Sequence, residues 1–293
     1  SMNTSPEWLN DIKSEYPFTP KRLKLNNGFE MSYVDEGQGP VILMLHGNPT
    51  WSFYYRNLIK HFAPNYRVIV PDHLGMGLSE RPQQFEYQLH QHVAHVEELL
   101  DSLKIEKFSL IVHDWGGAIG FGVATLRPSA VQKAVILNTA AFNAGPWIPK
   151  RISMCRAPVI GEPLVRGLNG FAFPATFMTT VKPLPKNIRR AYLAPYNDWN
   201  SRIAVSRFVQ DIPLSKSHPS FETLAAIEAA LPALEFPKMI IWGEKDFCFD
   251  MRFFNKWKTI YPDSESMVLD AGHYVLEDMP SQCAEAIEGF LAP

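Results

Sequence analysis

Phe108-Ser109-Leu110-Ile111-Val112-His113-Asp114-Trp115-Gly116-Gly117-Ala118 is the stretch that decides how this chain folds. Its first five residues read as a strand buried on both faces, and the run from Ala118 to Ala124 reads as a helix. Between them lies a sharp strand-to-helix turn that pushes Asp114 out at the end of a sheet, the layout of a nucleophile elbow. Gly116 and Gly117 carry no Cβ and so permit the tight turn and the close approach of helix to strand. An aspartate in this place has a specific chemical consequence. A carboxylate attacks without first losing a proton, and the ester it forms must then be hydrolysed by a separately activated water.

Outward from the elbow, the hydrophobic pattern alternates between strand and helix. Strands are expected over 31–35, 41–45, 67–71, 108–113, 131–138, 239–242 and 267–269. Helices are expected over 54–61, 89–103, 118–126, 221–230, 253–260 and 281–291. Such a series predicts an α/β fold, a mostly parallel central sheet flanked by helices, with its ligand site at the carboxyl ends of the strands. From about Ala141 to Leu214 the alternation stops. Pro146, Trp147, Pro149, Met154, Pro158, Phe171, Phe173, Phe177 and Met178 crowd this part, and helical patterns follow at 188–193 and 203–210. The chain is therefore expected to divide into a core of residues 1–140 and 215–293 and an inserted helical cap of residues 141–214.

Composition narrows the function classes. The 293 residues are 46% hydrophobic and 20% charged, ordinary values for a globular enzyme. A net charge of −2 gives no electrostatic reason to expect nucleic acid as a partner. No apolar run approaches the roughly 20 residues needed to span a bilayer. No signal-peptide pattern opens the chain, and Ser1-Met2 reads as an addition before a native start. Cys155, Cys248 and Cys283 are scattered, with no metal-ligand spacing, and read as reduced structural thiols of a cytoplasmic protein. His90, His92 and His95 are not spaced to converge as ligands, so neither a metal nor a cofactor is expected. The expected partners are a small apolar substrate and water; the oligomeric state is unreadable from the pattern. Arg189-Arg190 and Glu97-Glu98 read as solvated helix faces.

Three motifs converge on one sheet edge. The elbow carries Asp114. His46-Gly47-Asn48-Pro49 follows the strand at 41–45, where backbone N–H groups can face the elbow as an oxyanion hole. Asp246 follows the strand at 239–242, and His273 follows the strand at 267–269. Taken alone, an aspartate after a strand reads as a helix N-cap, and a lone histidine near a terminus as surface or core. Together they fit the nucleophile–acid–base order of an α/β-hydrolase, each after a predicted strand. Asp246 lies 132 residues beyond Asp114, the long gap that an inserted cap creates. His113 reads as a structural hydrogen-bonder behind the elbow.

His46-Gly47-Asn48-Pro49-Thr50-Trp51, Pro71-Asp72-His73-Leu74-Gly75-Met76-Gly77-Leu78-Ser79 and His113-Asp114-Trp115-Gly116-Gly117 resemble the haloalkane dehalogenase family of α/β-hydrolases, over nearly the whole chain. The resemblance implies Asp114 as nucleophile, His273 as base and Asp246 as the acid that orients it. It also implies that the Asn48 and Trp115 side chains donate to a leaving halide while their backbone N–H groups form the oxyanion hole. The first reading is thus a hydrolase releasing halide from a neutral haloalkane through an alkyl ester on Asp114.

The stretches Arg189–Tyr196, Trp199–Ile203 and Arg207–Leu214, with Asp246–Asp250 and His273–Asp278, resemble one branch of that family. This branch includes the β-lactone decarboxylases of long-chain olefin synthesis, in which a cis-β-lactone loses carbon dioxide to give a cis-alkene. That is the alternative reading, since a leaving halide and a leaving carboxylate are both anions. An epoxide hydrolase would need proton donors such as Tyr192 and Tyr196. A fluoroacetate dehalogenase would need arginines beside the elbow, which are missing. No serine sits in a Gly-x-Ser-x-Gly setting, which excludes an ordinary serine esterase. A non-catalytic receptor that keeps the pocket is the reading from a different class.

Overall fold

The computed structural model describes residues 5–293; Ser1-Met2 lies outside them. Eight strands form one sheet: β1 Lys21–Lys24, β2 Glu30–Glu36, β3 Val41–Leu45, β4 Arg67–Pro71, β5 Phe108–Asp114, β6 Val131–Thr139, β7 Lys238–Gly243 and β8 Glu265–Leu269. Their spatial order is β1-β2-β4-β3-β5-β6-β7-β8. The hairpin β1–β2 and the β2–β4 pair are antiparallel, and every pairing from β4 to β8 is parallel. The helices are α1 Trp8–Asp11, α2 Arg56–Phe62, α3 Leu89–Ser102, α4 Trp115–Leu126, α5 Lys150–Arg156, α6 Ala172–Met178, α7 Lys186–Leu193, α8 Ile203–Gln210, α9 Phe221–Ala230, α10 Met251–Ile260, α11 Val275–Asp278 and α12 Pro280–Leu291.

The sheet is apolar on both faces because both are covered. Leu43, Leu45, Leu110 and Val112 point into one core, with Val93, Val96 and Phe121 from the helices on that side. Ile42, Met44 and Ile111, the alternating partners, point into the other, with Ile59, Cys283 and Ile287. That two-sided burial is why β3 and β5 read as unbroken apolar runs.

The seven expected strands are all present, and one more, β1, is added. Its sequence, Lys-Arg-Leu-Lys, has no apolar alternation, because it is an edge strand whose outer residues stay wet. Between β6 and β7 the chain carries α5 to α9 and, among the described residues, no strand. The expected helices at 188–193 and 203–210 appear as α7 and α8. Helix α5 is short and lies between Pro149 and Pro158, and α6 is short and contains Pro174, so neither carries a clear helical period; a π-helical turn, Pro163–Gly167, lies between them.

The charged pairs expected on solvated faces are half-buried instead, apart from Arg190. Glu97 pairs with Arg127 at 3.1 Å, Glu98 accepts the Asn26 amide at 2.7 Å, and the Arg189 guanidinium lies over the Phe177 ring at 4.6 Å. His92 and His95 are buried in the core, where His92 stacks on Phe208. Among the described residues no cluster of His, Cys, Asp or Glu is placed to hold a metal, and no helix is long and apolar enough to cross a membrane.

Candidate active site

Parallel strands end side by side, and the expected site residues stand at those ends. Asp114 is the last residue of β5, and Asn48 lies three residues beyond β3. Asp246 follows β7, and His273 follows β8. Asp114 has φ 54° and ψ −131°, a left-handed conformation that ordinary residues avoid. The Thr139 hydroxyl holds it there by donating to the Asp114 carbonyl. The loop after β3 passes so close that a Cβ on Gly47 would collide with the Asp114 side chain. Likewise, a Cβ on Gly117 would strike the Thr139 side chain.

The two carboxylate oxygens of Asp114 have different partners. Oδ2 accepts from the backbone N–H of Asn48 at 2.9 Å and of Trp115 at 2.6 Å. Asp114 is therefore a helix N-cap as well as an elbow residue. Oδ1 faces His273 Nε2 at 2.8 Å. On the other side of the ring, His273 Nδ1 lies 2.5 Å from Asp246 Oδ2. All three side chains are buried.

Burial alone would strip the proton from His273. The charges of Asp246 and Asp114 outweigh it and raise its pKa to about 10. Burial pushes the Asp114 carboxyl up, but hydrogen bonding and charge from His273, with help from the Asn48 amide, hold it below the usual carboxylate value. The His273 ring thus lies between the carboxyl groups of Asp114 and Asp246, with one nitrogen against each. His113 is the structural neighbour it was expected to be. Its Nε2 bonds the His273 carbonyl at 2.8 Å, its ring stacks on Tyr54, and burial together with His273 lowers its pKa to about 3.

Several positioning residues carry no sequence signal of their own. Asn138, at the end of β6, donates from Nδ2 to Asp246 Oδ2 at 3.1 Å and to the Gly243 carbonyl at 3.0 Å, while its Oδ1 accepts the Gly243 N–H. The Cys248 amide donates to Asp246 Oδ1 at 2.7 Å. Phe249 stacks on the His273 ring, with centroids 5.4 Å apart. Knowing that β6 lies between β5 and β7 is the only cue that would have drawn attention to Asn138.

Asn48 Nδ2 donates one hydrogen to the Val205 carbonyl at 3.1 Å, which fixes the amide plane and leaves its second hydrogen for a ligand. Trp115 lines an apolar cavity and meets the Phe208 ring edge-on at 5.5 Å. Cys248, expected to be merely structural, also lines that cavity, and burial pushes its thiol well above the usual value. Tyr192 and Tyr196, the proton donors an epoxide hydrolase would need, point elsewhere. Their hydroxyls donate to Glu277 at 2.5 Å and to the Thr50 carbonyl at 3.3 Å, and neither residue lines the cavities at Asp114.

The arrangement offers a buried carboxylate, an imidazole held between two carboxyl groups, two amides at one carboxylate oxygen and apolar walls. Residues 40–280 match the family model of the alpha/beta hydrolase fold. The chain is 42% identical to a cis-3-alkyl-4-alkyloxetan-2-one decarboxylase of Shewanella oneidensis, over 90% of this chain and 86% of that one. A protein of the same name from Xanthomonas campestris is also 42% identical, over 94% and 97%. Haloalkane dehalogenase 2 of Mycobacterium tuberculosis is 32% identical, over 93% and 94%. Among solved structures, haloalkane dehalogenase DbeA from Bradyrhizobium elkani superposes with a TM-score of 0.84 at 25% identity, over 93% and 97%. With an eight-stranded sheet of this order, the chain belongs to the haloalkane dehalogenase family of α/β-hydrolases, in the branch that also holds cis-3-alkyl-4-alkyloxetan-2-one decarboxylases.

Proposed function

We propose that this protein is a decarboxylase of cis-3,4-dialkyl-β-lactones, with Asp114 as nucleophile, His273 and Asp246 as its charged partners, and residues 141–214 as a cap over the site. The observation that carries this reading is the 42% identity, over 90% or more of this chain, to two decarboxylases of that substrate, against 32% to a dehalogenase. It reverses the order of preference drawn from the motifs alone.

In the proposed reaction Asp114 Oδ1, the oxygen not held by the two amides, attacks ring carbon C4. The C4–O bond breaks with inversion, and the ring oxygen takes the electron pair to become a carboxylate on C3. Asn48 Nδ2 and Trp115 Nε1 donate to that anion as it forms. The C2–C3 bond then breaks, carbon dioxide leaves, and the released pair forms the C3=C4 double bond. The C4–Oδ1 bond breaks in the same step and restores the Asp114 carboxylate, which receives the His273 N–H. No water is consumed. Inversion followed by anti elimination is a net syn loss, so a cis ring gives a cis-alkene. The apolar surroundings favour the second step, because the substrate carboxylate has little solvation to lose as carbon dioxide departs neutral and the negative charge passes through C3 and C4 to Asp114.

The 32% identity to a dehalogenase favours one second reading, halide displacement. There alkylation removes one of the two anions that hold the proton on His273, that proton leaves with the halide, and the neutral ring then takes a proton from the water that hydrolyses the alkyl ester on Asp114. Purified protein given a synthetic cis-3,4-dialkyl-oxetan-2-one and, separately, a panel of haloalkanes distinguishes the two. Alkene from the lactone is expected; halide release with no alkene overturns the proposal.

A further inference from the structure

The Asp114 carboxylate sits at the junction of two apolar cavities. The first runs along Phe142, Ile212, Leu224 and Phe253, between the end of β6 and helices α9 and α10. The second runs along Cys155, Leu164, Ala175 and Met178, between α5, the π-helical turn and α6. Both contain Asn48, Asp114, Ile152, Phe171 and Cys248, and beyond these five residues their walls share nothing. Ile152 and Phe171, both from the segment between β6 and β7, thus form a partition with the nucleophile at its foot.

A substrate with a single chain on the reacting carbon needs one such arm. A ring with alkyl groups on two adjacent carbons needs two, diverging from the point of attack. Resting on the β-lactone reading, we infer that each cavity is the binding arm for one alkyl chain, so that chain length is selected separately at C3 and C4. The Ile152–Phe171 partition keeps the chains apart. Each arm is walled almost wholly by carbon, so every methylene it buries raises kcat/KM by about four-fold until the arm is full.

The test uses the full chain and three cis-β-lactones: long chains on both carbons, a long chain on C3 with methyl on C4, and the reverse. Leu224→Trp fills the first arm and Ala175→Trp the second; neither residue touches the reacting groups. Each variant is expected to lower kcat/KM at least ten-fold for lactones with a long chain on one particular carbon and to spare the lactone with methyl there. The two variants must act on opposite carbons. Leu224→Ala and Met178→Ala, which enlarge the same arms, are expected to shift preference toward longer chains at those same carbons; they serve where a tryptophan prevents folding. Alkene formation by the wild type reports on the underlying reading, and its absence with all three lactones removes that reading and this inference together. If the wild type forms alkene but both arms govern the same carbon, or neither alters chain preference, the two-arm assignment is overturned while decarboxylation stands.

Discussion

The strand ends and the segment between β6 and β7 meet at one site, yet they are built on opposite principles. At the strand ends polar atoms dominate, and those of Asp114, Asp246 and His273 are paired, although Asn48 Oδ1 and His113 Nδ1 are buried without a partner. The two oxygens of Asp114, the two oxygens of Asp246 and the two ring nitrogens of His273 each have a partner within 3.1 Å. The other segment supplies the Val205 carbonyl to this frame and otherwise apolar walls. It also leaves apolar side chains in solvent, with Val159 91% and Leu168 78% exposed. Ten of the 28 Lys and Arg residues lie within 141–214, but only three of the 30 Asp and Glu. The difference teaches where each property is encoded. Strand register fixes the polar frame of Asp114, Asp246 and His273, and helix packing shapes the cavities beside it.

The comparison breaks first at Asp114. Asp114→Ala is expected to cut kcat by at least about 10^3-fold for any substrate, with the circular dichroism spectrum unchanged. Residual turnover within ten-fold of wild type would show that the frame is not the seat of chemistry.

The next largest effect lies where the two regions are tied together. Buried Arg56 pairs with Glu277 at 2.5 Å, and Tyr192 of α7 donates to the same carboxylate. Glu277→Leu leaves the buried guanidinium with Glu15, at 3.0 Å, as its remaining carboxylate and removes the acceptor of Tyr192; it is expected to cost about 1.5–3 kcal/mol, read from urea unfolding. A loss below about 1 kcal/mol would mean that this tie does not hold the regions together.

Asn138→Ala sharpens the account of the frame itself. Loss of a hydrogen bond to a charged carboxylate costs about 1.5–3 kcal/mol, so kcat is expected to fall about 10- to 100-fold with KM little changed. An effect on KM alone would place Asn138 outside the reacting frame.

The last test is the pH dependence of stability. Burial holds His73 and His95 at about 4 and His113 at about 3, below the ordinary 6.5. The unfolded chain therefore binds more protons, and stability falls as pH drops from about 6.5 toward 4. His273 acts in the opposite sense. Raised to about 10, it contributes fully below 6.5 and loses that contribution as pH climbs through 10. Asp72 and Asp211, raised by burial to about 6 and about 7, oppose the histidines in this window, but the five buried histidines His46, His73, His92, His95 and His113 outnumber them. The Tm measured by calorimetry should therefore fall as pH drops from about 6.5 to about 4.5; a flat profile over that range would contradict the buried neutral histidines.

Most of the fold was legible because a strand buried on both faces leaves an unbroken apolar run, as in Val41–Leu45 and Phe108–Val112. The placement of Asp114, Asp246 and His273 was legible for a related reason: each follows such a run. Other features left no local trace. The edge strand Lys21–Lys24 has no hydrophobic period, and the role of Asn138 depends on which strand lies beside it. Helices α5 and α6 depend on packing against neighbours more than on their own pattern. The half-burial of Glu97, Glu98 and Arg189 comes from partners distant in sequence.

Gly47 and Gly117 lie so near Asp114 and Thr139 that a single added methyl at either one would collide. Sequence drift around the nucleophile is therefore closed off by lack of room. A variant of this scaffold that accepts a new molecule therefore has room to change only in the residues that wall the cavities.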